Sequence, residues 1–423
     1  MNRFFIFSKQ THQRKKFLLF YFFLIGYSSL NHHSFAQSVT YQDALAMALQ
    51  TGQFDQLSLT SREISDARLE TASRIPNPSI FYEEEGVGGR NDFDESTIGL
   101  SANLDFLFKR GSRVKSARLR NRISKLELET RKIKLAKELG EAFIDHSYCK
   151  REIKQLERSL ERHKQTLDIA VELVGKGMLP KVSLQQIKFK IEDLDFNLRD
   201  FNDQNAQLLA GFRLLVGSMK AVPEDNEILV DALLTDSKSA VNTAWENRKD
   251  LLVQKEQLEW RKQEVHRLKR ENFPDVTLEV ASKQYATNEN GTFWGISIEL
   301  PLGETRGQGK IAKAETDQFV LKYEEFRRQV AREVASAWEA FNYWYGAKEN
   351  SNNIDIQSRK DFLQTAKVRF QSGESGVLEY LDALDAHLNS IQKISLTELR
   401  KDKAYLNLIS SCGRYLTFEN SAK

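Results

Sequence analysis

The chain has 423 residues, of which 29% are charged, and six prolines, about a quarter of the usual proline share. Lys and Arg total 62, Asp and Glu total 59, and the two signs are interleaved, so a nucleic-acid-binding surface is not indicated. Few prolines and many interleaved charges favour long, uninterrupted helices over ordinary globular domains.

The first 36 residues have the pattern of a secretory signal peptide. The basic triplet Arg14-Lys15-Lys16 precedes an apolar run from Phe17 to Tyr27, and Ser34-Phe35-Ala36 supplies small residues for cleavage. The run is too short for the ~20 residues of a membrane-spanning helix. We therefore expect cleavage after Ala36 and a mature protein outside the cytoplasm. The residue directly after the cut is Gln37 and not a cysteine, so a lipid-anchored N-terminus is not expected.

Helix and strand patterns alternate through the first half of the mature chain. Thr40 has the chemistry of an N-cap and begins the first predicted helix. Pro76 and Pro78 end the helical region, and short strand-like segments follow over residues 79–107. The predicted helices cover residues 40–49, 57–72, 112–174 and 181–216. The third of these is on the order of 90 Å long.

The second half follows the same plan. A link over residues 218–238, which contains Pro223, separates it from the first half. The pattern then predicts a helix over 239–272, strand-like segments over 276–302, and helices over 310–370 and 377–415. Glycines between the last two helices, and between their counterparts in the first half, predict two helical hairpins.

The strand-like segments carry one apolar face. Apolar and polar side chains alternate with a period of two, which is typical of a strand with one hydrophobic side. The first-half face comprises Ile98, Leu100, Ala102 and Leu104, and the second-half face Trp294, Ile296, Ile298 and Leu300. The predicted partner strands contain Val276, Leu278 and Val280, and, less regularly, Ile80 and Tyr82 before the acidic triplet at 83–85.

The two halves are repeats offset by 196 residues, with no insertion between Arg74 and Gly217. Residues that recur at this spacing include Arg74 and Arg270, Pro78 and Pro274, Gly99 and Gly295, Gly177 and Gly373, and Gly217 and Gly413. A duplication this long implies two copies of a whole helix-and-strand unit. We divide the chain into a signal peptide (1–36), a first repeat (37–217), a linker (218–238) and a second repeat (239–423).

The length of the four strands suits a bilayer. Strands of ~9–11 residues cross a membrane when tilted, but four of them leave open edges whose unpaired backbone groups cost several kcal/mol each in lipid. Several chains must therefore pool their strands, and a trimer would supply twelve. The alternative is a small water-soluble sheet that caps a helical rod.

The signal, the duplicated helix–strand–strand–helix–helix unit and the glycine-marked hairpin tips together resemble the TolC family of outer-membrane efflux and secretion channels. The closest-looking branch is the CzcC-like metal-efflux subunits. The resemblance implies a mostly α fold with a membrane β part. Three protomers would share a twelve-stranded β-barrel in the outer membrane of a Gram-negative bacterium. Long antiparallel coiled-coil helices would extend it as an α-barrel across the periplasm.

The strongest local match to that family is the segment from Phe370 to Ala383. Two of its acids, Glu379 and Asp382, lie three residues apart on one helix face. In a three-fold assembly they would form acidic rings at a periplasmic gate. The alternative is that they only complement the helix dipole. The resemblance assigns adaptor contact to the hairpin tips, at Gly177, Pro180, Ser183, Gly373 and Gly376. Ser183 and Gln186 replace the two acids in the first repeat.

The resemblance implies a homotrimer that works with a periplasmic adaptor (a membrane fusion protein), an inner-membrane transporter and outer-membrane lipid, and confers metal resistance. The expected function is a passive exit duct for cations or small toxic compounds. The alternatives are a type I protein-secretion duct and a periplasmic coiled-coil adaptor without a pore.

We expect neither an enzyme nor a cofactor or metal site. No catalytic arrangement is visible in the sequence, the histidines lack metal-ligand spacing, and Cys149 and Cys412 are expected to be unpaired. The stretch from Gly303 to Lys310 resembles a phosphate-binding loop. Because Glu304 stands where a glycine belongs and Ile311 replaces the Ser or Thr, we interpret it as a structural corner.

Overall fold

The structure, a computed structural model, describes residues 37–86, 94–225, 228, 236–287, 289–300, 304–351 and 356–417. The predicted signal peptide (1–36) and Gly303 lie outside these ranges. The described part of the protein is mostly helical, with a four-stranded sheet and a two-stranded sheet.

The first repeat runs through two short helices, a strand pair and a long helical hairpin. Its elements are β1 (Gln37–Val39), α1 (Tyr41–Gln50), α2 (Gly52–Ser73), β2 (Ser79–Glu85), β3 (Glu95–Asn103), α3 (Arg110–Gly175) and α4 (Val182–Val216). Thr40 caps α1 as predicted, because its hydroxyl oxygen accepts a hydrogen bond from the Asp43 amide at 3.2 Å. A 66-residue helix such as α3 is on the order of 100 Å long.

The second repeat has the same order of elements. A short strand, β4 (Ala221–Pro223), lies in the link and pairs in parallel with β1. The elements that follow are α5 (Ser237–Asn247), α6 (Lys249–Glu271), β5 (Asp275–Tyr285), β6 (Asn290–Glu299), α7 (Glu304–Ser351), α8 (Ile356–Gln371) and α9 (Val377–Ser411). The phosphate-loop-like stretch therefore contributes, from Glu304 onward, the first turns of α7.

The four longer strands form one antiparallel sheet in the order β2-β3-β5-β6. The central pairing joins the two repeats, with Gly99 opposite Ala281 and Leu100 opposite Val280. The acidic triplet at 83–85 does not end β2, which pairs with β3 as far as Glu85 opposite Glu95. Both repeats therefore contribute two strands each to a single surface.

The main hydrophobic core lies where the short helices pack around the middle of the long ones. Phe143 of α3 makes edge-to-face contacts with Tyr41 and Phe212, at centroid distances of 5.7 and 5.4 Å. Gly140 allows α3 and α9 to approach closely, since a Cβ there would lie 3.0 Å from a methyl of Leu406. Cys149 and Cys412 are both buried and unpaired.

One predicted helix is wrong in its continuity. The helix expected over 239–272 is broken at Arg248, whose backbone is extended (φ −67°, ψ 111°). No proline or glycine marks this break. The Arg248 side chain instead binds Asp250 at 2.9 Å and Glu333 of α7 at 2.7 Å. The first repeat has its own break at Thr51, 196 residues before Asn247, the last residue of α5.

The other predicted helices differ mainly at their ends. The helix expected over 310–370 begins earlier, at Glu304, and is described as α7 and α8, with residues 352–355 outside the described ranges. The last helix ends at Ser411 rather than at 415, because Gly413 adopts a left-handed conformation (φ 73°) that terminates it.

In the described residues, no helix is both long enough and apolar enough to cross a membrane.

Gly413 provides a test of the helix-ending turn. We expect Gly413→Ala to lower the free energy of unfolding by ~1–2 kcal/mol or more, because a left-handed non-glycine residue is strained. The new Cβ would also lie 2.8 Å from the Arg248 Cα. Thermal unfolding followed by circular dichroism in detergent measures the change. Gly211→Ala is the matched control: it lies on an exposed helix position with open space, and we expect it to be neutral or stabilising by up to about 1 kcal/mol.

Candidate functional site: the sheet and the hairpin tips

The sheet presents its apolar face to the outside of the protomer. Ile98 and Leu100 are more than half exposed, and Trp294 is 73% exposed. The register aligns these side chains across the strands, with Tyr82 opposite Ile98, and Val280 opposite both Leu100 and Trp294. The remaining exposed apolar members are Ile80, Leu278, Ile296, Ile298 and Leu300. A contiguous apolar surface of this kind needs a non-aqueous or protein partner, since large exposed patches are rare on soluble monomers.

The opposite face of the sheet is polar and more covered. Thr97 is only 7% exposed although it is polar. Gly99 lies beneath the Phe81 ring, and a Cβ at this position would be 2.6 Å from Phe81 Cζ and 2.7 Å from the Ala281 Cβ. The repeat glycine Gly295 likewise lies beneath a ring, that of Phe293. These two glycines therefore make room for aromatic rings on the polar side.

Charged side chains on the polar side connect the strands to each other and to the helices. Lys283 forms an ion pair with Glu95 across β3 and β5. Lys109, at the start of α3, is 4% exposed and its ammonium lies 2.6 Å from an Asp275 carboxylate oxygen at the start of β5. The Lys109 contact joins the first long helix to a strand of the other repeat.

Both edges of the sheet are open in the described part of the protomer. β2 pairs only with β3, and β6 pairs only with β5. Each edge therefore presents unpaired backbone N–H and C=O groups, which can pair with strands of another chain. The sheet is incomplete as it stands in one protomer.

The two hairpin tips have the same backbone geometry. In the first tip (residues 175–180), the Gly177 amide donates to Val174 O at 3.0 Å and the Met178 amide to Leu173 O at 2.9 Å. In the second tip (residues 373–376), Gly373 and Glu374 make the corresponding bonds, at 3.1 and 2.9 Å. This pattern is a Schellman motif, which needs a left-handed residue and so favours glycine. Gly177 and Gly373 have φ values of 70° and 74°.

The tips lie against each other within the protomer. The Met178 methyl of the first tip occupies the space that a Cβ on Gly373 would need. Behind them a separate hydrophobic cluster joins the two hairpins, and in it the Phe370 and Tyr380 rings are stacked with centroids 5.3 Å apart. The two tips therefore form one surface.

The acids of the second tip have different surroundings. Glu379 is half-buried, and its carboxylate accepts a hydrogen bond at 2.8 Å from the Arg369 guanidinium. Asp382 is exposed. One turn further, Asp385 binds the Lys190 ammonium of the first hairpin at 2.7 Å, and this hydrogen bond raises the pKa of Lys190.

Known proteins resemble this chain in sequence. Residues 240–414 match the family model described as outer membrane efflux protein. Over 388 residues the chain is 23% identical to the outer membrane protein OprJ of Pseudomonas aeruginosa. The aligned region covers 84% of this chain and 80% of OprJ. This chain is therefore similar to outer membrane efflux proteins in residues 240–414, and to OprJ over most of its length.

Solved structures of two proteins have the same fold. CusC, described in connection with its folding and transmembrane channel formation, superposes with a TM-score of 0.74 at 16% identity, over 91% of this chain and 96% of CusC. The outer membrane protein VceC of Vibrio cholerae superposes with a TM-score of 0.74 at 16% identity, over 89% of this chain and 96% of VceC. The mostly helical fold of this chain is therefore that of CusC and VceC.

The structure brings the predicted site residues into two groups. Ile98, Leu100, Trp294, Ile296 and Ile298 share the exposed sheet face, with Leu104 and Leu300 at or just beyond the strand ends. The predicted tip residues Gly177, Pro180, Gly373 and Gly376 lie at the turns. Ser183 is 3% exposed, in the first turn of α4.

The cations that pair with Glu379 and Asp385 were not among the predicted site residues. Arg369 precedes Glu379 by ten residues, and Lys190 lies on the other hairpin from Asp385. Neither spacing is a local helix pattern. The 196-residue offset gives a partial signal, since it places Lys190 opposite Ala386, next to Asp385.

Two buried histidines lie between the hairpins. His163 of α3 is fully buried, and its Nδ1 is 2.8 Å from Ser159 O. His387 of α9 is 6% exposed. Among the residues that the structure describes, neither His163 Nε2 nor His387 Nδ1 has a hydrogen-bond partner. Burial lowers the pKa of both imidazoles below the ordinary value of 6.5. Lys190, Arg162 and Lys360 are the nearby cations, and Asp385 is the acid near His163.

These histidines predict a pH-dependent stability. An imidazole with a lowered folded-state pKa stabilises the fold above pH 6.5, and that stability is lost as the pH falls from 6.5 toward the folded value. We expect the midpoint temperature of thermal unfolding to decrease as the pH is lowered from 7.5 to 5.5. The midpoint of the His163→Gln variant should decrease less over the same pH range. Unfolding curves at several pH values measure this. His266→Gln, at an exposed position, is the control and should keep the wild-type slope.

Proposed function

We propose that this chain is the outer-membrane channel subunit of a tripartite efflux system, a passive exit duct whose energy comes from a partner pump. The observation that carries this proposal is the exposed apolar face of the sheet, bounded by two open edges. A bilayer would accept the apolar face, because burying a large apolar side chain gains ~1.5–3 kcal/mol. In lipid the edges must be paired.

The open edges support a trimer. If β6 of each protomer pairs with β2 of the next, three protomers make a closed barrel of twelve strands. The helices follow the same order, since α2 packs on α3, α3 on α6, and α6 on α7. The free sides of α2 and α7 would then meet between protomers and continue the wall as an α-barrel. α2 supports this, because none of its described side chains is fully buried in the protomer.

The partners in this proposal are a periplasmic adaptor, a membrane fusion protein, and an inner-membrane transporter. The joined surface of the two tips is the site for adaptor contact, and Gly177, Pro180, Ser183, Gly373 and Gly376 set its shape. The protein would lie in the outer membrane of a Gram-negative bacterium and extend into the periplasm. The division into repeats at 37–217 and 239–423, with a linker at 218–238, is part of the same proposal.

Cations are the proposed cargo, and the CzcC-like metal-efflux subunits the proposed branch. Acids on the polar side of the sheet support this. Glu279 and Glu299 lie an even number of positions from Ala281 and Gly295 along their strands, and so share the more covered, polar face with them. Exposed Asp382 supports it at the tips. Small toxic compounds that carry positive charge would be accepted for the same reason.

Asp382 and Glu379 are the proposed gate, with unequal roles. The Arg369 partner neutralises Glu379 within the protomer, whereas Asp382 is exposed. In a three-fold assembly Asp382 would form the acidic ring that attracts cations. Glu379 would hold the first turn of α9 to the end of α8.

The apolar face of the sheet provides a test of the proposed function. We expect Ile296→Glu to abolish stable assembly in the outer membrane, because an acid would face lipid. Ser297→Glu, at the adjacent position of opposite parity, should assemble. Membrane fractionation and semi-native gel electrophoresis measure this: the wild type should partition with the outer membrane as an SDS-resistant trimer. Recovery of the wild type as a soluble periplasmic monomer would overturn the proposed function.

The gate residues provide a further test. In planar bilayers we expect Asp382→Asn to weaken block by multivalent cations by about fivefold or more, since a ring of three charges is removed. Glu379→Gln should change block less, because its charge is already paired with Arg369. Equal effects of the two substitutions, or unchanged block in both, would contradict the assignment of Asp382.

A further inference from the structure

The beginning of α3 carries an unusually basic helix face. Between Asp105 and Glu127 the sequence has eight Lys or Arg residues and no acid. Four of these cations, all exposed, follow one another at intervals of three and four residues: Lys115, Arg118, Arg122 and Lys125. This spacing aligns them along one side of the helix. We call these four residues the basic face. In the described part of the protein, none of them has an ion-pair partner within 4.0 Å.

The contact of Lys109 indicates which way the basic face is turned. Lys109 binds Asp275 in β5. Asp275 lies an even number of positions from Glu279 and the covered Ala281, so all three are on the polar side of the sheet. Successive residues of an α-helix are rotated by about 100°. The members of the basic face are therefore all roughly opposite Lys109. They lie on the side of α3 that continues the apolar face of the sheet.

Exposed apolar residues separate the sheet from the basic face. Leu107 and Phe108 follow β3 and are 61% and 49% exposed, and Phe273 precedes β5 and is 45% exposed. The Arg270 guanidinium lies over the Phe273 ring, 5.4 Å from its centroid. Aromatic side chains followed by cations are typical of the boundary between the hydrocarbon core and the lipid headgroups. The order along the protein is thus apolar sheet, aromatic boundary and basic face.

The fold does not itself require these cations. The same positions of the second repeat, 196 residues later, are also exposed and carry no charge: Ile311, Ala314, Gln318 and Leu321. Two acids on neighbouring helices have their own partners: Asp66 accepts a hydrogen bond from Asn121 at 2.8 Å, and Glu259 accepts one from Lys262 at 2.8 Å. The basic face is therefore a property of the first repeat alone and is free to bind an external anion.

We propose that the basic face binds the phosphate groups of anionic phospholipids in the leaflet next to the helices. This inference rests on the proposed function, because it presumes that the sheet lies in a bilayer. A cation near an anionic membrane surface favours binding roughly fivefold. Lys115 and Arg118 are nearest to the aromatic boundary. Arg122 and Lys125 lie about 10 Å further along the helix, near the ~8 Å reach of electrostatics in physiological salt, and contribute less.

Quenching of tryptophan fluorescence by brominated lipids tests the proposal on the full-length trimer. Trp294, on the apolar face, is 73% exposed and should be quenched by brominated phosphatidylcholine. Competition between brominated phosphatidylcholine and phosphatidylglycerol then gives the relative binding of the anionic lipid. We expect phosphatidylglycerol to be preferred by about threefold or more at low salt, and the preference to be lost in 0.5 M NaCl, chosen for its roughly 4 Å screening length.

Substitutions identify which cations cause the preference for phosphatidylglycerol. We expect Lys115→Gln with Arg118→Gln to remove most of it, and Arg122→Gln with Lys125→Gln to remove a smaller part. The control is Lys154→Gln with Lys164→Gln, two exposed positions far along α3, which should retain the full preference. Lys115→Arg with Arg118→Lys should also retain it, since charge rather than side-chain identity is needed.

The outcomes separate this inference from the function on which it rests. No quenching of the wild type by any lipid would contradict the bilayer location and therefore the proposed function. Quenching by phosphatidylcholine with no preference for phosphatidylglycerol would overturn the basic face while leaving the lipid-facing sheet intact. A preference that survives substitution of all four cations would overturn it as well.

Discussion

The structure depends on the sheet, which is apolar on its exposed face and unpaired at both edges. Burial of apolar surface and pairing of backbone groups are the two requirements that a strand must meet, and a single protomer meets neither in full. The helices of the protomer do not supply what is missing, because they leave the apolar face of the sheet exposed. The chain must therefore associate with other molecules at its faces and at its edges.

The Lys109–Asp275 contact connects the helices to the sheet. A buried ammonium is costly unless it is paired, so the position of this lysine is set by the carboxylates around it. Lys109 belongs to the first repeat and Asp275 to the second. The pair fixes the start of the longest helix relative to a strand of the other repeat. Below it, ion pairs such as Lys190–Asp385 again join the two repeats.

Much of this fold could be predicted from the sequence because its signals are local. Alternating side chains indicated the strands, and glycines 196 residues apart indicated the turns. The break at Arg248 could not be predicted in this way, since ion pairs with Asp250 and Glu333 hold it and no helix-breaking residue marks it. For the same reason the neutralisation of Glu379 by Arg369 was not visible: it depends on how α8 returns against α9. The role of Gly99 beneath the Phe81 ring likewise appears only once the strands are paired.

The 196-residue offset, kept without insertion from the strands to both tips, has a consequence for evolution. The two hairpins are equal in length, and Met178 meets Gly373 because both tips end at the same height. Seven residues added to each helix of one hairpin alone would extend its tip by about 10 Å, so that the two tips would no longer lie side by side. Changes in hairpin length should therefore arise in both halves together, or be matched by a partner whose own surface is stepped. The constant spacing therefore keeps the two hairpins equal in length.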